Sequence, residues 1–593
     1  MLSVPSPENP AENPTHGAVD LSSESLGSHV VRCLAAHGVS TVFGIPGTHN
    51  IEVYRGLTTH GLRHVSTRHE QGAVYAADAY ARTGTGPGIV VTTSGPGLTN
   101  ALTGLANAHA DSVPVLVISP GASRGTERRD TGDLHETRDQ RAGAAAFVQD
   151  SIRVETKAQV TRAIEEIFHS WATASPRPFH LEIPLDVIGD PCAAEDPADY
   201  AVRPWLPAAT QPSPGTLARA AEVVRASARP LVIAGGGAAD GAPDLVELAE
   251  HLGAPVYTTS QGKGTIPETH PLSAGVLSGG FVDVAPLHEA DVVLAIGTEF
   301  KDARYLAPDA TVVRFDIDAK QLHSQRRADL PVLGDAATSV FDFLRALEAA
   351  EGAADGRAEP LPDLPDAVLQ DALGAMAAEV GSASADLPAP RTPEDRAAWV
   401  ARVREDALAR LAPVLEEFGV LHAALVPALG DDVVFTGDSS QVSYSGTALV
   451  PLLTEPRRFL TTDGYASLGY ALPAAIGAKI ARPEADVVCL VGDGAFVFSV
   501  QELLTAAQEG LGLAVVVYDN HGYREILGNM TDAGVPPIGV DFGGPDYAAL
   551  ATAMHCGFAA PQKPEELSAA VHDAVHGDRP VLIHVTEQVV GGW

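Results

Sequence analysis

Residues 487–523 read VVCLVGDGAFVFSVQELLTAAQEGLGLAVVVYDNHGY. An apolar run, 487–491, leads into Gly492-Asp493-Gly494. A stretch with apolar positions at Phe498, Leu503, Leu504 and Ala507 follows, and a second apolar run, 513–518, ends at Asp519-Asn520. Short continuous apolar runs stopped by glycine read as buried strands, and the spacing between them predicts a helix. Strand, helix and strand in that order make a parallel pair, so Asp493 and Asn520 are expected at the carboxyl ends of strands. That is the edge where open α/β sheets bind ligands. Glycines around Asp493 would let the backbone come close to an anion, which the following helix start would favour. A carboxylate and an amide oxygen are hard ligands suited to Mg²⁺, which combines one or two such groups with phosphate oxygens and water.

The same alternation extends through the chain. From about 24 to 190 the runs at 41–43, 88–93 (GIVVTT), 113–119 (VPVLVIS) and 179–184 (FHLEIP) alternate with Ala-rich helical stretches. A proline-rich stretch, 204–214, reads as a linker. A second unit has strands at 230–234, 254–258, 291–297 and 311–316. In the third, 432–436 and 580–586 flank the pair already described. The expected architecture is α/β, with three doubly wound parallel-sheet domains. The boundaries are a disordered tail at 1–20, a first domain at 21–195, a central Rossmann-like domain at 205–348, an acidic connector at 349–408 and a third domain at 409–593.

The 593 residues carry a formal net charge of −36, which would repel nucleic acid and anionic lipid. The four cysteines, Cys33, Cys192, Cys489 and Cys556, form no CxxC pair, so neither a zinc site nor a disulfide framework is indicated. The first residues lack the basic and apolar regions of a signal peptide, and no apolar run is read as a membrane span. A cytoplasmic protein without nucleic-acid or membrane partners is the expectation.

In 62–83, LRHVSTRHEQGAVYAADAYART, a strand breaks before Glu70, which opens a helix of small residues. The 24 residues between Gly494 and Asp519 match the spacing of a thiamine-diphosphate motif, with Asp519 where an asparagine is usual. RHEQGA, SGPGLTN (94–100) and ADSVPVLVIS resemble the pyrimidine-binding domain of acetolactate-synthase-like thiamine-diphosphate enzymes. The resemblance runs from about 24 to 590. It implies three domains: pyrimidine-binding, central and diphosphate-binding. It also implies thiamine diphosphate and Mg²⁺ as cofactors, with Asp493, Asn520 and the Gly522 carbonyl on the metal. Glu70 would be the carboxylate that hydrogen-bonds the aminopyrimidine N1′ and promotes the imino tautomer, the base for the thiazolium C2 proton. Ser94, Gly95 and Asn100 would lie on the pyrimidine side. Ser439, Ser440 and Gln441 (in GDSSQ), with Gly492, Gly494 and Ala495, would contact the diphosphate. Leu468 would prop the cofactor, and the Ala466 carbonyl would accept from its 4′-amino group. In this family Glu70 of one subunit reaches cofactor held by the other, so a homodimer, or a homotetramer built from it, is implied.

On the substrate side, Thr48 and His49 in PGTHN (46–50) and His135 in GDLHETRDQ are the catalytic candidates. His69, His109 and His521 are read as structural. The segments GIPGTHNIEVYRGL, GDLHETRDQRA, DNHGYREI and PPIGVDFGGPDYAALA most resemble the 5-guanidino-2-oxopentanoate decarboxylase group, although Arg524 replaces a smaller residue usual there. The implied activity is non-oxidative decarboxylation of a small 2-oxo acid. An acetolactate-synthase-type carboligase is the alternative, and a non-catalytic scaffold of the same fold a remote one. Glu299 and Asp302 are candidates for an acidic wall facing a cationic side chain. Gly235–Gly237 after the 231–234 strand could mark a dinucleotide turn, so FAD is carried as the lesser of two readings for the central domain.

Overall fold

The structure is a computed structural model that describes residues 24–203, 209–278, 283–354 and 393–593. The 1–20 tail, the first five residues of the 204–214 linker and most of the acidic connector lie outside the described residues.

Three six-stranded parallel sheets follow one another along the chain. The first contains β1 (Thr41–Gly44), β2 (Arg63–Ser66), β3 (Gly88–Val91), β4 (Val115–Gly121), β5 (Asp150–Arg153) and β6 (Phe179–Pro184), in the order β2-β1-β3-β4-β6-β5. The second contains β7 (Pro230–Ala234), β8 (Val256–Thr259), β9 (Ser273–Leu277), β10 (Val292–Ile296), β11 (Thr311–Asp316) and β12 (Leu330–Leu333), in the order β12-β11-β10-β7-β8-β9. The third contains β13 (Val433–Gly437), β14 (Phe459–Leu460), β15 (Asp486–Gly492), β16 (Ala514–Asp519), β17 (Gly557–Ala559) and β18 (Val581–Thr586), in the order β14-β13-β15-β16-β18-β17. Helices cover the sheets, so central strands such as β15 and β16 are buried on both faces and apolar along their middles, with Asp486 and Asp519 at their ends. Each buried Val or Leu there stabilises the fold by roughly 1.5–3 kcal/mol.

The strand order reverses between β1 and β3, between β7 and β10, and between β13 and β15. At such a reversal the two connections leave on opposite faces and open a crevice at the strands' carboxyl ends. The loops at the first reversal carry His49 and Ser94, and those at the third carry Ser440 and Gly492. At the central reversal the two loops pack on each other. Gly235 and Gly237 donate backbone N–H to Ile296 and Gly297, and a Cβ on Gly235 would lie 2.3 Å from the Gly297 carbonyl oxygen. Close loop-to-loop packing therefore calls for glycine at both positions.

The first and third domains share one apolar core. The Glu70–Arg82 helix lies along the Ala471–Ala481 helix, with Tyr75, Ala76, Tyr470 and Ile476 in the contact.

Two expectations need correcting. The helix predicted after Gly494 is two short helices, Asp493–Phe496 and Glu502–Gln508, and Phe498 in the turn between them is 51% exposed. The boundary at 409 falls inside one helix, Pro393–Leu425, and the run Glu394–Ala428 is long and apolar enough to cross a membrane by length and composition. Its residues Val414, Phe418, Leu421 and Leu425 instead pack into the core of the third domain.

Candidate active site

At the reversal of the first sheet, His49 Nδ1 lies 2.6 Å from Ser94 Oγ, and the His49 and His135 rings meet edge to face at 5.0 Å. Burial, and then the neighbouring His135, hold the His49 imidazole below its ordinary pKa. Asn50, buried, staples this loop: its Oδ1 accepts from Gly47 N–H and its Nδ2 donates to the Ile45 carbonyl. Thr48 is exposed on the same loop. His135 has φ of +63°, a strained setting for a side chain with Cβ, and its Nδ1 is buried with no partner among the described residues. Gly95 (φ +59°) allows this approach, because a Cβ there would lie 2.4 Å from the His135 carbonyl oxygen.

Glu70 opens its helix and is 9% exposed, and Asn100 Nδ2 donates to its Oε2 at 3.0 Å. His69 caps the helix, with Nδ1 accepting from Gln71 N–H, which is the structural role expected of it. His49, Ser94 and His135 border an open pocket of 990 Å³, and every residue lining it belongs to the first domain. It is lined by six carboxylates and four arginines, Arg128, Arg138, Arg141 and Arg153. Arg153 pairs with Glu127 and Glu182, and Arg128 with Asp139, which leaves Asp133, Glu136 and Asp150 without an ion-pair partner among the described residues. Gln140, not anticipated from sequence, ties the wall together. It accepts from Gly95 N–H and donates to the Pro120 carbonyl and to Glu182.

Neither Glu299 nor Asp302, the residues expected to make an acidic wall, lines this pocket. Glu299 accepts from Arg177 Nη2 at 2.6 Å and from Ser112 Oγ at 2.5 Å, clamping the central domain to the first. Asp302 is 7% exposed, and burial pushes its pKa up to about 6 against the pull of Arg304. The charged form therefore costs stability above pH about 6 and nothing below the ordinary value of 3.8. Asp302→Asn is expected to stabilise the protein by up to about 3 kcal/mol at pH 7.5. The gain should disappear as the pH falls to 4. Thermal unfolding at the two pH values checks this, and an equal gain at both would refute it.

At the reversal of the third sheet, Asp493 is buried at the end of β15, and its Oδ2 accepts from Gly522 N–H at 2.8 Å. Asn520 and Gly522 follow directly on β16, so the three expected metal ligands converge on one loop pair. Burial, and then the Asp519 carboxylate, raise the Asp493 pKa. Two neighbouring acids at a strand edge are the charge environment that a divalent cation balances, and one carboxylate, one amide oxygen and one carbonyl suit Mg²⁺ with phosphate oxygens. Among the described residues no group of three or more His, Cys, Asp or Glu is arranged to hold a metal ion.

Packing also calls for glycine on either side of Asp493. A Cβ on Gly494 would meet the Tyr523 ring at 2.7 Å, and one on Gly492 would meet Ser440 at 3.0 Å. Ser440 Oγ also accepts from Gly492 N–H. Ser439 Oγ contacts Thr462 Oγ1, Gln441 donates to Glu525, and Ala495 is buried beside Asp493. Arg524 Nε donates to the Asn520 carbonyl, and His521 (φ +65°) is exposed on the same turn.

Ala466 also has positive φ (+54°) and is exposed, and Leu468 rests partly buried on the shared core. Asp438 was not anticipated. Fully enclosed, it accepts N–H from Ser439, Gly469 and Ala471, locking the 438–441 loop to the segment carrying Ala466 and Leu468.

Comparison with known proteins agrees with this layout. The N-terminal TPP-binding domain of thiamine pyrophosphate enzymes matches residues 24–142, the central domain 217–347 and the C-terminal TPP-binding domain 438–585. The chain belongs to the thiamine pyrophosphate enzyme family and is a thiamine-diphosphate-dependent enzyme of its decarboxylase and carboligase group. Among its relatives, a probable 2-ketoarginine decarboxylase (AruI) of Pseudomonas aeruginosa is 37% identical over 92% of this chain and 90% of the relative. The acetolactate synthase isozyme 3 large subunit of Escherichia coli is 31% identical over 94% of each. A probable acetolactate synthase large subunit of Methanocaldococcus jannaschii is 28% identical over 94% of this chain and 90% of the relative.

Proposed function

We propose that this enzyme decarboxylates a 2-oxo acid with a cationic, guanidino-type side chain and releases the aldehyde one carbon shorter. The observation that carries the decarboxylation is the pairing of His49 and His135 at the first-domain crevice, in a pocket whose six carboxylates outnumber its four arginines. Its similarity to a relative named as a 2-ketoarginine decarboxylase supports the side chain. Asp493, Asn520 and the Gly522 carbonyl would hold Mg²⁺ against the diphosphate. When bound, thiamine diphosphate supplies the carbon nucleophile that adds to the ketone and accepts the electrons left when CO₂ departs. Glu70 shares a proton with the pyrimidine N1′, and Asn100 orients its carboxylate. Since the first-domain pocket has no wall from the third domain of its own chain, the cofactor-bearing third domain of a second copy is the natural partner. The working unit in this proposal is thus a homodimer. A panel of 2-oxo acids assayed for CO₂ with both cofactors tests the substrate class. A clear preference for pyruvate over guanidino and amino side chains would reject it.

His135 divides the decarboxylase from the carboligase alternative. A decarboxylase must protonate the carbon that has lost CO₂, and an imidazole in reach of it can act as that donor. His135→Ala is expected to slow aldehyde release while leaving single-turnover CO₂ release less affected. Carboligation to an added aldehyde should rise as a share of product. Equal falls in CO₂ and aldehyde would make His135 a binding or structural residue.

A further inference from the structure

Glu502 opens the Glu502–Gln508 helix in the third domain and is fully buried. Its carboxylate reaches into the first domain, where both oxygens accept the backbone N–H of Arg68, at 3.0 and 3.2 Å. Thr505 Oγ1 donates to Oε2 at 2.6 Å and fixes the rotamer. The contact lies two residues before Glu70. Room for it exists because residue 72 is glycine: a Cβ there would stand 2.6 Å from Glu502 Oε1. Two neighbouring contacts brace the same turn, Arg68 Nη2 to Gln508 and Arg63 Nη2 to Glu509. A buried carboxylate spent on backbone N–H groups at the start of a helix sets where that helix begins, and so where its first side chain points.

We propose that Glu502 is the positioning residue for Glu70, holding the 66–69 turn so that the Glu70 carboxylate meets the aminopyrimidine N1′. This rests on Glu70 having the role given above. Because Glu502 follows Asp493 by nine positions in the chain, the segment that carries the metal ligand also fixes the turn that carries Glu70.

Two readouts test this on the full-length protein. In cofactor-free protein, amide hydrogen exchange over residues 66–72 reports the clamp. In protein saturated with thiamine diphosphate and Mg²⁺, without substrate, the rate at which the C2 proton exchanges with D₂O reports Glu70. Glu502→Ala is expected to speed amide exchange in that peptide and slow C2 exchange about tenfold or more, with cofactor affinity held within about threefold. Glu502→Gln keeps one acceptor oxygen and should recover most of the C2 rate. If the alanine variant does not fold, Glu502→Asp, one methylene short, carries the test with an intermediate loss expected. C2 exchange at the wild-type rate in the alanine or aspartate variant, with Glu70→Gln slow, would overturn the proposal. A wild-type rate in Glu70→Gln itself would instead overturn the role of Glu70, and the proposal with it.

Discussion

Glu70→Gln is expected to lower turnover by on the order of 10²–10⁴-fold while leaving fold and cofactor binding largely intact. Glutamine keeps the shape and the contact with Asn100 but cannot share a proton with N1′. The carboxylate is buried at a helix start, held by Asn100 at 3.0 Å, and its backbone turn is pinned from the third domain. Little of this geometry depends on the ionised group itself, so a loss in this variant isolates proton sharing from positioning. Turnover should be measured at saturating thiamine diphosphate and Mg²⁺. Wild-type-like turnover there would remove Glu70 from the chemistry.

The second large effect is expected at the metal end. Asp493→Ala should weaken thiamine-diphosphate retention in Mg²⁺ by roughly a hundredfold or more, about 2.7 kcal/mol. The variant removes the carboxylate that would face the cation, leaving the diphosphate charge without its bridge to β15. The cofactor-free protein should tolerate the change, because truncation relieves the repulsion between the buried Asp493 and Asp519 carboxylates. That relief offsets the hydrogen bond from Gly522 N–H, which the alanine cannot accept. Calorimetry with and without Mg²⁺ reads the effect, and unchanged affinity would contradict the assignment.

Much of this arrangement is legible in the sequence, and the physical reason differs from element to element. Central strands such as β4, β10, β15 and β16 are covered on both faces, so their apolar runs are continuous and easily seen. The edge strands β5, β9, β12, β14 and β17 escape the sequence reading. β5 and β12 mix exposed and buried residues over four positions, β17 has no buried residue, and β14 is two residues long. Such strands are defined by their partner's hydrogen bonds, not by their own pattern. Among site residues, Glu70, Asp493, Asn520 and Gly522 stand in motifs whose spacing is set by one strand–helix–strand unit or by one helix start. His49, Ser94 and His135 are far apart in the chain, and the resemblance placed them in the site. Asp438, Gln140 and Glu502 were not seen because each acts on backbone groups of another segment. Glu502 reaches Arg68 across 434 positions, a pairing that no local pattern encodes. Glu299 misleads for the converse reason: an acidic residue after a strand looks free in sequence, whereas here it is engaged by Arg177 and Ser112.

The direct test is made on protein stripped of cofactor and supplied with 5-guanidino-2-oxopentanoate. CO₂ and aldehyde should appear in equal amounts only when thiamine diphosphate and Mg²⁺ are both restored. CO₂ release that persists without thiamine diphosphate, or a carboligation product in place of the aldehyde, would contradict a thiamine-dependent decarboxylase.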